Sequence, residues 1–299
     1  MSKKVLVIYY SQSGQLGEII DSVTEPLLAS GAAVEKVRIR PVTDYDFPWK
    51  GERFYAVMPD CVLGNPIELA PFTLKESSYD LIVLGYQAWF LYPSIPCNSL
   101  LQHPAFRAVL KNTPVLTVTG ARNMWLNAFE GVRNLLTEAG ANLVGNIALV
   151  DRHPNIVSFV TIFHWLLGGK KDRKWGLFPK PGVSDADIAH AKIFGGLALP
   201  YLTSGNWEGY QKDLVSQKAA VVSYPLWKLE STAIPTYVKW AHFIVGKKKR
   251  TAWLAVFKYY ILFALFIGAP ILLIIDAVFI KPFSSRRIKA KKQYYLELN

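Results

Sequence analysis

The chain has 299 residues, 51% of them hydrophobic, with 34 Lys/Arg against 22 Asp/Glu and a net charge of +12. That length supports a large core, and the only two cysteines, Cys61 and Cys97, form no C-x-x-C or metal-ligand pattern, so a reducing compartment fits and no metal site is indicated. Residues 247–299 carry eleven Lys/Arg and two acids, a net of +9, around an apolar run, which points the basic tail to anionic lipid headgroups rather than nucleic acid.

The first predicted element is the apolar run Val5–Tyr10, which reads as a buried parallel strand. It is too short for the apolar region of a secretion signal, so the N-terminal part is expected in the cytoplasm. The polar turn Ser11-Gln12-Ser13-Gly14-Gln15 ends the run. A helix follows, with Leu16, Ile19, Ile20, Val23, Leu27 and Leu28 on one face. A strand, a Ser/Gly turn and a helix start make an anion site, because first-turn amides converge there and the helix dipole adds partial positive charge. Gly14 allows close backbone approach, and Ser11 and Ser13 offer hydroxyl donors.

A second strand is predicted over 31–39, followed by an irregular Pro- and aromatic-rich insertion over 41–78 beside the site. Strand three covers Tyr79–Gly85, a helix 96–111, strand four Pro114–Thr119, a helix Trp125–Ala139 closed by Gly140, and strand five Asn142–Val150. This alternation predicts a doubly wound parallel sheet, with ligands at the carboxyl ends of the strands.

The turn is neither a Walker loop nor a G-x-G-x-x-G fingerprint. Ser11-x-Ser13-Gly14-x-Leu16 resembles the phosphate loop of the flavodoxin-like family, in which the last position is usually Thr, so Leu16 removes one donor. The resemblance implies a five-stranded sheet of order 2-1-3-4-5 and FMN as cofactor. A loop of hydroxyls and amides without lysine suits the single phosphate of FMN. Gln12 and Gln15 complete this loop. The loop after strand three, Tyr86-Gln87-Ala88-Trp89-Phe90, is similar to that family's ring-stacking loop, with Trp89 as the stacking residue. The loop after strand four, Thr119-Gly120-Ala121-Arg122-Asn123, would meet the edge of the ring, and Arg122 and Asn123 would reach its carbonyls or a substrate. The alternative at each position is an ordinary βα turn or a core aromatic.

Strand five ends in Asp151-Arg152-His153, which places Arg152 and His153 at the same rim, with His153 the candidate acid/base and Arg122 or Arg152 the candidate anion holder. The alternative is a surface histidine. The apolar stretch 155–167 is too short to cross a bilayer and reads as a buried helix or an apolar flap, part of an insertion over about 155–175. Ser184 starts a helix to about Tyr201 that closes a flavodoxin-like domain over 1–204, with close packing expected at Gly195-Gly196. An aromatic interfacial region is expected over 205–250, or else an aromatic cap over a pocket. A membrane segment and basic tail are expected over 251–299. Residues 252–280 would form a helix about 43 Å long, flanked by basic residues on both sides, with spanning and re-entrant forms both open. The expected location is the cytoplasmic face of the inner membrane.

Over most of its length the chain resembles the bacterial dialkylresorcinol biosynthesis family. It opens with Lys-Val-Leu-Val-Ile-Tyr-Tyr-Ser-Gln-Ser-Gly-Gln-Leu, carries Gly-Ala-Arg-Asn-Met-Trp and ends in a membrane segment and basic tail. The resemblance implies an FMN-dependent aromatase that oxidises a lipophilic dialkyl cyclohexanedione, supplied by a ketosynthase-like partner, to a resorcinol. The "condensing enzyme" label given to such proteins does not suit this chain, which has no thiolase-like Cys/His/Asn arrangement. A membrane NAD(P)H-dependent quinone reductase, a non-catalytic electron carrier or scaffold, and a homo-oligomer all remain open.

Overall fold

The computed structural model describes residues 2–298. Five strands, β1 (Lys4–Tyr9), β2 (Ala33–Arg38), β3 (Leu81–Tyr86), β4 (Pro114–Ala121) and β5 (Asn142–Val150), form one parallel sheet of order β2-β1-β3-β4-β5. This is the doubly wound parallel sheet that the alternation predicts, in the flavodoxin-like order that the resemblance implies, and the order reverses between β1 and β3. The apolar run of β1 has the composition of a strand buried on both faces. Val5, Val7 and Tyr9 enter one core and Leu6, Ile8 and Tyr10 the other.

The principal helices are α1 (Gln15–Ala29), α2 (Ile95–Gln102), α3 (Leu126–Glu138), α4 (Asn155–Gly168) and α5 (Lys192–Ser204) in the body of the chain. Three more follow: α6 (Tyr224–Val245), α7 (Arg250–Phe283) and α8 (Ser285–Glu297). α1 and α5 cover one face of the sheet, α2 and α3 the other. The expected close packing falls on Gly195, where an added Cβ would sit 1.8 Å from the Val23 carbonyl oxygen of α1, while Gly196 has open space.

The predicted helix over 96–111 is broken at His103, and the one starting at Ser184 is broken at Ala191, with a first piece Asp185–His190. Ser184 caps that piece, its hydroxyl accepting from the Asp187 amide at 3.1 Å. The stretch after residue 204 continues the body. Trp207 and Tyr210 are buried in the α1/α5 core, and the short helix Tyr210–Ser216 packs on β5. The Ala219 carbonyl accepts from the Ala148 amide at 2.8 Å, covering part of the sheet edge. These two aromatics are therefore core residues, because the free edge of β5 needs a cover.

α7 turns back along α6. Phe257 of α7 joins a third core with Ala241 and Ile244 of α6 and with Tyr55, Met58 and Val62 from the insertion. α8 returns to the body, where Tyr295 is buried and the Leu296 carbonyl accepts from Gln211 at 2.8 Å.

Candidate functional site

A cavity of about 240 Å³ lies at the carboxyl ends of β1, β3 and β4. All three predicted loops reach it, through Gln12, Ser13, Gln15 and Leu16, through Gln87, Ala88, Trp89 and Phe90, and through Gly120, Ala121 and Arg122.

The first loop leaves a helix end open. Gly14 is the N-cap of α1 at φ +91°, in the left-handed region that favours glycine, and no side chain caps the helix. The amides of Gln15 and Leu16 have no acceptor among the described residues, and neither does the Ser13 hydroxyl. Ser11 is placed differently from the expectation. It is buried, its hydroxyl accepts from the Gly17 amide at 3.3 Å, and its carbonyl accepts from Arg38 at 2.7 Å. It braces the turn and is not among the residues lining the cavity. The Gln15 side chain forms a double hydrogen bond, at 3.0 Å each, with the carbonyl and amide of Val183. Gly182 fits against it, since a Cβ there would lie 2.6 Å from Gln15 Oε1.

In the second loop, Tyr86 is fully buried below the site, and burial pushes its phenol well above the usual value. Ala88–Trp89 pairs antiparallel with Tyr92–Pro93, and the turn between them holds Phe90 and Leu91 at φ +48° and +70°. Two consecutive left-handed non-glycine residues are a strained arrangement, of the kind that clusters at ligand sites. Trp89 meets Tyr45 and Trp49 edge-to-face, with ring centres 5.0 and 5.4 Å away. The buried Gln87 Oε1 has no donor among the described residues.

In the third loop, Thr119 is buried within β4. Gly120 admits Ile19 of α1, whose Cδ1 would be 2.7 Å from a Cβ. Arg122 lies on the cavity wall and donates to the Asn155 carbonyl at 3.0 Å and to Asn155 Oδ1 at 2.7 Å. Asn123 is buried behind it and donates to the same Oδ1 at 2.9 Å. Burial lowers the Arg122 pKa to about 10, partly offset by Tyr237 and Asp151, so the guanidinium is charged at neutral pH. Its hydrogen bonds within the described chain go to Asn155 and not to a carboxylate.

Arg152 and His153 do not reach the cavity. The Asp151 amide still pairs with the Ala121 carbonyl at 3.2 Å, and the chain then turns sharply as the Asp151 carboxylate accepts from the His153 amide at 2.9 Å. The His153 ring folds onto Asp151 at 2.6 Å, and Arg152 pairs with Asp187 at 2.6 Å, mostly exposed. Neither a histidine nor a carboxylate is among the residues lining the cavity.

The remaining walls come from segments without a sequence motif. The insertion adds Trp49, Phe54 and Tyr55, α4 adds Phe159, Ile162 and Phe163, α6 adds Tyr237 and α7 adds Ile261. The aromatic content of 41–78 is the only signal that could have found the first group.

No family model and no curated protein matches the chain. Among solved structures, it is similar to a flavoprotein in complex with FMN from Lactobacillus acidophilus, at 19% identity over 49% of this chain and 93% of that one, with a TM-score of 0.40. A WrbA-like flavodoxin protein from Agrobacterium tumefaciens matches at 13% identity over 68% and 99%, with a TM-score of 0.38. Oxidised flavodoxin 1 from Bacillus cereus matches at 14% identity over 64% and 95%, with a TM-score of 0.35. The strand order and register, not these scores, define the fold.

Proposed function

We propose that the chain is a membrane-associated, FMN-dependent oxidoreductase that oxidises a dialkyl cyclohexane-1,3-dione to a dialkylresorcinol on the cytoplasmic face of the inner membrane. The observation that carries the flavin reading is the convergence of three strand-end loops and the uncapped α1 end on one cavity. The residues present suit FMN. The free amides of Gln15 and Leu16 and the Ser13 hydroxyl would hold the phosphate. Trp89 and Gly120 would border the ring, and the orphan Gln87 Oε1 would accept from its imide N–H. Bound FMN supplies a two-electron acceptor.

The substrate reading rests on Arg122 and the apolar walls. A cyclohexane-1,3-dione is acidic enough to enter as its enolate, so proton removal needs no histidine in the cavity. Arg122 would hold the enolate oxygen, and the Phe159, Ile162 and Ile261 walls would take the alkyl chains. Aromatisation removes two hydrogens from the ring, one as hydride and one as proton, and tautomerisation completes the resorcinol. A ketosynthase-like partner would supply the dione.

The test is anaerobic mixing of the FMN-loaded protein with a synthetic dialkyl cyclohexanedione. Bleaching of the flavin with formation of the resorcinol is expected. Failure to bind FMN refutes the whole reading. Bleaching by NAD(P)H but not by the dione moves the assignment to a quinone reductase.

A further inference from the structure

α7 is 34 residues long and apolar enough to cross a bilayer; little of it is buried, but it meets the protein at both ends and in the middle. We infer that α7 lies in the plane of an anionic bilayer leaflet, docked lengthwise on the protein, and does not cross the membrane. This rests on the membrane association proposed above, and not on the flavin chemistry.

The docked side of α7 touches the protein along its length. Near its start, Phe257 is fully buried against α6 and the insertion. Midway, the Phe266 ring lies 5.6 Å from Phe159 of α4. Near its end, the buried Asp276 pairs with Lys228 of α6 at 3.2 Å. α6 is itself fastened to the body, where Glu230 accepts from the Asn127 amide at 2.7 Å. Phe257 and Asp276 are about 28 Å apart along a helix. Beyond Asp276 the helix runs only about 11 Å more, to Phe283. A hydrocarbon layer of roughly 30 Å needs about 20 residues, so crossing would tear away the Phe257 or the Asp276 contact, and any span that includes residue 276 would strand its carboxylate in lipid.

The other side of α7 is uncovered. Tyr259, Phe263, Ile267, Ile271, Ile274 and Val278 recur every three or four residues on it, and they are 49–67% exposed. The two ends of this stripe are cationic. Lys247 to Arg250 are exposed at one end, and Arg286, Arg287 and Lys289 at the other. An apolar stripe with basic residues at both ends complements an anionic leaflet on one side, and places both ends where the positive-inside rule puts basic residues. Ile261 of the same helix lines the cavity, so the helix that meets lipid also walls the site. An amphiphile would enter sideways from the acyl layer, without crossing water.

Two measurements on the full chain test this. Purified protein is floated with vesicles of phosphatidylcholine, with and without phosphatidylglycerol. Severalfold greater flotation with phosphatidylglycerol, lost at high salt, is expected. No flotation on either overturns the membrane association itself, and equal flotation on both overturns the anionic leaflet. Lys248→Cys and Lys289→Cys are then labelled in sealed inside-out membrane vesicles with a membrane-impermeant maleimide. The native Cys61 and Cys97 are buried, so they should react slowly. Labelling of both sites without detergent is expected, whereas protection of one until detergent is added shows a spanning helix and overturns the proposal. A Lys228→Cys/Asp276→Cys pair, bridged by a short bis-maleimide in the same vesicles, separates the docked helix from a re-entrant one. Efficient cross-linking supports docking, and its absence in a variant that still unfolds cooperatively at the wild-type temperature overturns it.

Discussion

Glu230 is the buried carboxyl whose titration should be visible in the stability of the whole protein. Its Oε1 accepts from the Asn127 amide at the start of α3, while its Oε2 has no partner among the described residues. Burial raises its pKa from the ordinary 4.5 to about 7, partly offset by that backbone hydrogen bond. Between these two values the folded chain keeps a proton that the unfolded chain releases. The contribution is therefore fully present below about pH 4.5 and is lost as the pH rises through about 7. The interval corresponds to about 3 kcal/mol. Glu230→Gln keeps an oxygen for the Asn127 amide and cannot ionise. Wild type and variant should be close in stability at pH 5, and the variant should gain up to about 3 kcal/mol by pH 8, or roughly 6 °C in Tm for a chain of this size. The assay is thermal unfolding in one detergent at half-unit pH steps, following near-UV circular dichroism. A difference that stays constant from pH 5 to 8 would refute the reasoning, because it would mean that Glu230 has the same pKa in both states.

Three further outcomes follow from the site and its packing. Gly14→Ala forces a side chain onto φ +91°, a strain of about 1–2 kcal/mol, so FMN should bind about tenfold more weakly by fluorescence titration; unchanged affinity would remove the loop from the phosphate site. Arg122→Met keeps the bulk of the cavity wall and removes its charge. The dione turnover should fall about 100-fold while the flavin spectrum persists, and undiminished turnover would leave the enolate without its proposed holder. Gly195→Ala drives a methyl into the Val23 carbonyl and should cost at least about 3 kcal/mol, whereas Gly196→Ala, with open space, should be neutral or stabilising by up to about 1 kcal/mol; equal melting curves for the two would contradict the α1/α5 approach.

What could be read from the sequence was what local pattern dictates. The run Val5–Tyr10 and the turn at Ser13-Gly14 fixed β1 and the start of α1, because burial on both faces demands continuous apolar residues and the left-handed position favours glycine. The three loops were legible because strand order alone sends them to one edge of the sheet. Chain order places Arg152 and His153 at the same edge, but the hydrogen bond that the His153 amide donates to the Asp151 carboxylate turns the chain away, and no periodicity records that. Asn155, which holds both Arg122 and Asn123, looked only like the first residue of an apolar run. Trp49, Phe54 and Tyr237 reach the cavity through tertiary packing of segments far apart in the chain, so no local spacing marks them.

The double hydrogen bond between Gln15 and Val183 joins residues 168 positions apart. In a chain made from its N-terminus, the Ser13-Gly14 turn therefore exists as a bare helix end long before its neighbour emerges. The Gln15–Val183 pairing can form only after all five strands have been made. A flavin phosphate that reached the open amides early would hold α1 in place while the rest of the body assembled around it. FMN held as proposed would then take part in folding as well as in chemistry, and refolding followed by tryptophan fluorescence should run faster with FMN present than without it.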